Sequence, residues 1–170
     1  MFAVGHISLG YLMGKSTSSA TRENVNIPLL FALSLLPDID FIIPGLQHRG
    51  PTHSLVVALI TFGPLLILKP KKTAPYFAAL VSHSAIGDFF TAGGAQLLWP
   101  LSPSWTQYQM AVCMSHTTEW LIELALFATS ITILVASKDL KHFLSKDNHN
   151  LLLSIPLCTI ILPIAFKYPI

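Results

Sequence analysis

LLPDIDFIIPGLQHRGPTHSL, residues 35 to 55, sets two aspartates, two histidines, an arginine and three prolines between long apolar runs. Only 11% of the chain is charged, so the concentration calls for a reason. Pro37 removes a backbone donor and clashes with the turn before it, so a helix arriving from Ile27 is expected to unwind at Leu36 and Pro37. On a continuous helix Asp38 and Asp40 would point about 200° apart, whereas an extended Asp-x-Asp can turn both carboxylates toward one target. The stretch thus predicts a broken helix whose break gathers acidic groups.

The sequence around it reads as membrane protein. Its 170 residues are 52% hydrophobic with a mean hydropathy of +0.62, too apolar for an ordinary soluble domain. Apolar runs cover Met1 to Gly14, Ile27 to Leu46, His53 to Leu68, Ala74 to Leu98, Tyr108 to Ala136 and Leu151 to Phe166. They predict an all-α fold, a polytopic membrane helical bundle of five to six spans with a broken second span, forming one integral-membrane domain over residues 1–170. Lys15 to Asn26 and Ser137 to Asn150 read as loops, the latter with room for a short surface helix. No positive charge precedes the first run and His6 interrupts it, so it is expected to be retained rather than cleaved as a signal peptide. Cys113 and Cys158 stand singly and read as packing residues, and Trp99, Trp105 and Trp120 as interfacial anchors or bundle packing. A net charge of +2, with no basic and aromatic stripe, argues against a nucleic-acid partner.

Charge distribution orients the bundle. With six spans, Lys15, Arg22, Lys69, Lys71, Lys72, Lys138, Lys141 and Lys146 fall in loops on one side, against Arg49 and Lys167 on the other. The lysine-rich side is expected to be cytoplasmic. His6 at the start of span one, Asp38 and Asp40 late in span two and His53 opening span three then lie toward the extracytoplasmic face. His83 and Asp88 late in span four, and His116, Glu119 and Glu123 early in span five, lie toward it as well. Nothing in the charge count required this agreement, and one shared polar site is implied.

Each aspartate at membrane depth raises insertion cost by roughly 2.5 to 3.5 kcal/mol, so these groups need compensation. Imidazole and carboxylate together suit a divalent cation, zinc first, with manganese or iron as alternatives. Pro51 can open a helix at Thr52 and His53 whose free amides favour an anion, with Arg49 beside it as a bidentate clamp. His83 and Asp88, five apart, would face about 140° apart on a regular helix; a π-bulge or a helix end near Gly87 would realign them. His116, Glu119 and Glu123 share one helical face and read as ligands, as partners standing behind the ligands, or as a proton path. His142 and His149 read as solvated loop residues.

LLPDID at 35 to 40, HRGPTHSL at 48 to 55 and SHSAIGDFFTAGGAQLLWPLS at 82 to 102, with a histidine in the first helix, resemble the YdjM-like family of inner-membrane metal-dependent hydrolases. The likeness covers about the first 102 residues. It implies a multispanning helical protein, divalent metal and phospholipase-like hydrolysis, with site roles for His6, Asp38, Asp40, His48, His53, His83 and Asp88. The family pattern sets histidine and aspartate four apart on the fourth span, where this chain has five.

The combined expectation is a multi-pass protein of the inner (cytoplasmic) membrane that hydrolyses a lipid or lipid-like phosphoester at the extracytoplasmic leaflet. His6, Asp38, Asp40, His53 and His83 would hold the metal, Asp88 or His48 would orient or deprotonate water, and Arg49 would stabilise phosphoryl charge. Two competing expectations use the same residues. A divalent-cation or proton-coupled transporter would need a polar route through the membrane, and a non-catalytic scaffold would keep the metal for folding alone.

Overall fold

The computed structural model describes residues 1, 3–90, 94–106 and 116–140, and at 116 the backbone alone. Cys113, Cys158, His142, His149, the last apolar run and the side chain of His116 lie outside the described residues. Among those described, the chain is all-helical with no named strand. Helix α1 spans Ala3–Thr21, α2 Ile27–Leu35, α3 Leu55–Leu68, α4 Pro70–Ser82 and α5 His116–Ala136. Two 3-10 segments, Leu36–Phe41 and Pro51–His53, lie between α2 and α3, and a π-helix, His83–Asp88, continues α4.

Local chemistry sets these limits. Asn26 caps α2, its side-chain oxygen accepting from the Leu29 amide at 3.0 Å, and Pro28 suits the first turn. Pro37 ends α2 where the sequence placed a break, but the chain tightens there into the first 3-10 segment instead of running extended through Asp38 and Asp40. The Ser54 hydroxyl accepts from the Val56 and Val57 amides and so starts α3. Lys69 alone separates α3 from α4.

The core joins four helices. Tyr11, Ile27, Leu30, Ala79 and Leu134 form its buried centre, with α1 packed on α2, α4 and α5. Gly10 and Gly14 let the backbones close up, because a Cβ at Gly10 would strike the Ser34 side chain and one at Gly14 would sit 2.6 Å from Leu30 Cδ2. Further along α1 from His6, Asp139 Oδ2 receives the Tyr11 hydroxyl at 2.9 Å and lies 2.6 Å from Lys15 Nζ.

Two further expectations change. The first loop is shorter than Lys15 to Asn26, because α1 runs on to Thr21. Thr17 and Thr21 return their hydroxyls to the Met13 and Thr17 carbonyls, which makes polar residues compatible with helix, and Lys15 has a carboxylate to meet. The apolar runs also do not map one-to-one onto spans. Among the described residues one helical stretch, Thr117–Ala136, is long and apolar enough to cross a membrane, and Leu55–Leu68 is a shorter apolar helix. The second run yields only nine α-helical residues before its break. Helical backbone does run without interruption from Pro70 to Phe90, about 30 Å at roughly 1.5 Å per residue.

Candidate metal centre

Three backbone irregularities and the start of α1 meet at one end of the bundle. The 3-10 segment after α2 delivers Asp38 and Asp40, the turn before α3 delivers His48, Arg49 and His53, the π-helix delivers His83 and Asp88, and the first turns of α1 deliver His6. His6, Asp38, Asp40, His53, His83 and Asp88 are all buried, each 6% exposed or less. The π-helix widens the turn between His83 and Asp88, which resolves their five-residue spacing by placing both in one cluster. Gly87 lies within that turn. A Cβ there would fall 2.5 Å from His6 Cε1, so the bare backbone is what admits the His6 ring, which stacks on His83 with centroids 3.7 Å apart.

The hydrogen bonds outside the cluster fix the protons within it. His83 Nδ1 lies 2.6 Å from the Ser34 carbonyl, an acceptor only, so this nitrogen carries the hydrogen and Nε2 presents a lone pair. His53 Nδ1 faces Asp40 Oδ2 at 3.3 Å and Thr52 Oγ1 at 3.1 Å. The Thr52 hydroxyl donates to Asp40 Oδ2 at 3.0 Å, so both neighbours accept from His53 and its Nε2 is likewise bare. These two Nε2 atoms stand 3.2 Å apart, and each lies 3.4 Å from Asp38 Oδ1 and from Asp88 Oδ2. Acceptors therefore face acceptors. The Asp88 Oδ2 and His6 Nδ1 atoms have no hydrogen-bond partner despite complete burial.

A cation resolves this arrangement. Zinc binds imidazole nitrogen and carboxylate oxygen at about 2.0 to 2.2 Å, and a tetrahedron of that size has edges of about 3.3 to 3.6 Å. Five of the six separations among His53 Nε2, His83 Nε2, Asp38 Oδ1 and Asp88 Oδ2 are 3.2 or 3.4 Å, so the donor set fits such an ion. Three overlapping groups could hold a metal ion: His6, His83 and Asp88; Asp38, His53 and His83; and Asp40, His48 and His53.

Around this core sits a more open layer. His48 Nδ1 lies 3.1 Å from Asp40 Oδ1, and its ring rests on Phe41, centroids 4.0 Å apart, with about a third of its side chain exposed. Arg49 has φ of 62°, a left-handed conformation costly for a side-chain-bearing residue. Its amide donates to Asp40 Oδ2 at 3.0 Å, its carbonyl accepts from Gln96 at 2.9 Å, and its Nε lies 3.1 Å from Asp88 Oδ1. The backbone is thus bent so that the guanidinium reaches the centre. The helix-start anion site expected at Thr52 and His53 takes another form. Pro51–His53 is a single 3-10 turn, Thr52 serves Asp40, and the first amides of α3 are capped by Ser54.

Glu123 is buried on α5 against Gly5 of α1, its carboxyl carbon 3.1 Å from where a Cβ would sit, and Glu119 is half-buried; neither belongs to the three metal-capable groups found among the described residues. Two contributors escaped sequence reasoning. The Ser34 carbonyl is invisible to a search for ligand side chains, and Thr52 had a signal only in its position between Arg49 and His53.

With this geometry in view, comparison with known families is informative. The model of the YdjM inner membrane protein family matches residues 1–168. Comparison with curated proteins gives no match, and neither does comparison with solved structures.

Proposed function

The chain belongs to the YdjM inner membrane protein family, and from that premise we propose that it is a multi-pass, metal-dependent hydrolase of lipid phosphoesters at the extracytoplasmic leaflet. The observation that carries the reading is the buried set of facing acceptors from Asp38, His53, His83 and Asp88, with the unpartnered Nδ1 of His6 beside it. These five residues would hold a divalent cation, zinc before manganese or iron. Bound there, the cation would supply Lewis acidity toward water and a phosphoryl oxygen.

The chain's own residues supply the rest. Asp40 and Thr52 hold the His53 ring in its tautomer, the role a carboxylate commonly plays behind a metal-bound imidazole. This assigns Asp40 to positioning and Asp88 to ligation, the reverse of the roles inferred from spacing alone. His48, tethered to Asp40 and partly exposed, is placed to take the proton of the attacking water. As water oxygen bonds to phosphorus, the phosphorus–oxygen bond to the leaving alcohol breaks, and the proton returns to that alcohol. Arg49 exchanges part of its contact with Asp88 for phosphoryl oxygens.

The orientation has its own support. Arg22 follows the end of α1, Lys15 lies in its second half, and α3 meets α4 at Lys69, Lys71 and Lys72, while the acidic centre sits toward the opposite ends of these helices. That polarity supports a centre turned away from the cytoplasm.

Elemental analysis of detergent-purified protein, followed by a screen of phospholipids and lipid-linked phosphates, tests the reading. Metal near one equivalent or more, with turnover that Asp38→Asn abolishes, is the expected result. Fully active protein that holds no metal would overturn it. Metal flux in proteoliposomes without hydrolysis would transfer the same centre to ion transport, and retained metal with no turnover would leave it a scaffold.

A further inference from the structure

Between α3, the 3-10 break and α4 runs a groove of about 250 Å³. Its walls are Pro37 and Ile39 from the break, Val57 and Phe62 from α3, and Leu80 from α4. Thr52 and the metal-facing His53 line it as well, with Ser54, Thr61 and Ser84 as its other polar residues. We infer that this groove holds one hydrocarbon chain of a membrane phospholipid, whose head group then lies at the metal centre. The inference rests on the hydrolase reading and names the part of the substrate that the reading left open.

Three observations select this occupant. The groove is continuous with a lipid-type surface, because no residue of α3 is buried although the helix is apolar throughout, and Leu59, Ile60, Leu65, Ile67 and Leu68 are 50% exposed or more. A contiguous apolar face of this kind has to be covered, and in an inner-membrane protein hydrocarbon covers it. The volume lies below the roughly 300 to 1,000 Å³ of pockets that enclose a whole ligand, so it suits a single chain entering from the side. Lastly, Thr52 and His53 belong both to this groove and to the centre, so a chain seated there lies next to the centre.

The test uses full-length protein in phosphatidylethanolamine and phosphatidylglycerol vesicles doped with phosphatidylglycerol carrying a diazirine near the end of one acyl chain. After irradiation, adducts are mapped by mass spectrometry and metal is measured on the same samples. Adducts are expected on Ile39, Val57 or Phe62 as well as on outward residues such as Ile60 and Ile67. Ala58→Phe, or Thr61→Trp at the rim, should cut the groove adducts roughly tenfold, the effect of excluding about two methylene groups, and leave the outward adducts unchanged. Adducts confined to the outward face of wild type, or groove adducts indifferent to both substitutions, overturn the inference. Metal bound without groove adducts removes this inference alone; groove adducts on metal-free protein remove the hydrolase reading alone. Should Ala58→Phe misfold, the outward pattern changes too, and Thr61→Trp and the wild-type map decide.

Discussion

Two buried polar clusters lie along α1, one at mid-helix and one at its first turns, and they are balanced differently. At mid-helix Lys15, Tyr11 and Ser137 surround Asp139, so one carboxylate meets one ammonium and hydroxyl groups. At the first turns, the carboxylates of Asp38, Asp40 and Asp88 meet the single guanidinium of Arg49 among imidazoles whose protons point outward. The first cluster is complete within the chain and fastens α5 to α1. The second, counted with neutral imidazoles, is left two negative charges in excess, the charge of one divalent cation. Burial is thus no guide to purpose by itself. Whether donors and acceptors cancel locally separates a fastening from a binding site.

The contrast is broken most severely at Asp38. In wild type, a cation present at about a thousandfold over its dissociation constant adds roughly 4 kcal/mol to stability, so chelation should lower Tm by many degrees. In Asp38→Asn that chelation-dependent shift is expected to vanish, as read by thermal unfolding with and without chelator. A shift of the wild-type size in the variant would mean that Asp38 does not hold the ion.

Gly87→Ala probes the same centre without touching a ligand. Its new methyl group would crowd the His6 ring, costing about 1 to 3 kcal/mol as overpacking and lowering bound metal. Metal titration of the purified variant against wild type checks it, and unchanged affinity would show that His6 is dispensable.

A change at the complete cluster should separate the two regions. Asp139→Asn leaves Lys15 without its counter-charge, but that side chain is 24% exposed, so a loss of about 1 to 2 kcal/mol is expected. Metal content should be unaltered, which elemental analysis reads directly.

The smallest effect is on pH dependence. Burial alone would raise the Asp139 carboxyl, but Lys15, Ser137 and Tyr11 outweigh it and hold its pKa below the usual 3.8. A carboxylate with a lowered folded-state pKa contributes stability that is fully present above its unfolded value and lost as pH falls through the folded one. The Tm difference between wild type and Asp139→Asn should therefore be constant above about pH 5 and shrink in more acidic buffer. A difference that grows on acidification would reverse the sign of this assignment.

Much of this was legible in the sequence, for stated reasons. Pro37 announces a break because a proline inside a helix removes a donor, and the structure ends α2 at Leu35. The grouping of His6, Asp38, Asp40, His53, His83 and Asp88 could be read because ionisable groups are costly at membrane depth and so report one another. What lay beyond the sequence was direction. Spacing shows that Asp40 and Asp88 are near the centre but not which side of an imidazole each faces, and on that distinction rests the proposal that Asp40 positions His53 while Asp88 ligates. The length of α1 was missed because Ser16 to Ser19 looks like loop until Lys15 is seen to meet Asp139, which lies far along the chain. Among the described residues one helical stretch is long and apolar enough to cross a membrane, so apolar runs and long helices do not coincide. Apolar runs record solvent preference, whereas helix ends are set by prolines and caps inside those runs.

Pro37 has one further consequence. A 3-10 turn would draw a hydrogen from residue 37 to the Ser34 carbonyl, and proline has none to give. That oxygen takes its hydrogen from His83 Nδ1, 49 positions later in the chain. An absent atom in the main chain thereby dictates the tautomer of a distant ring, and with it the direction in which the ring can offer its electrons.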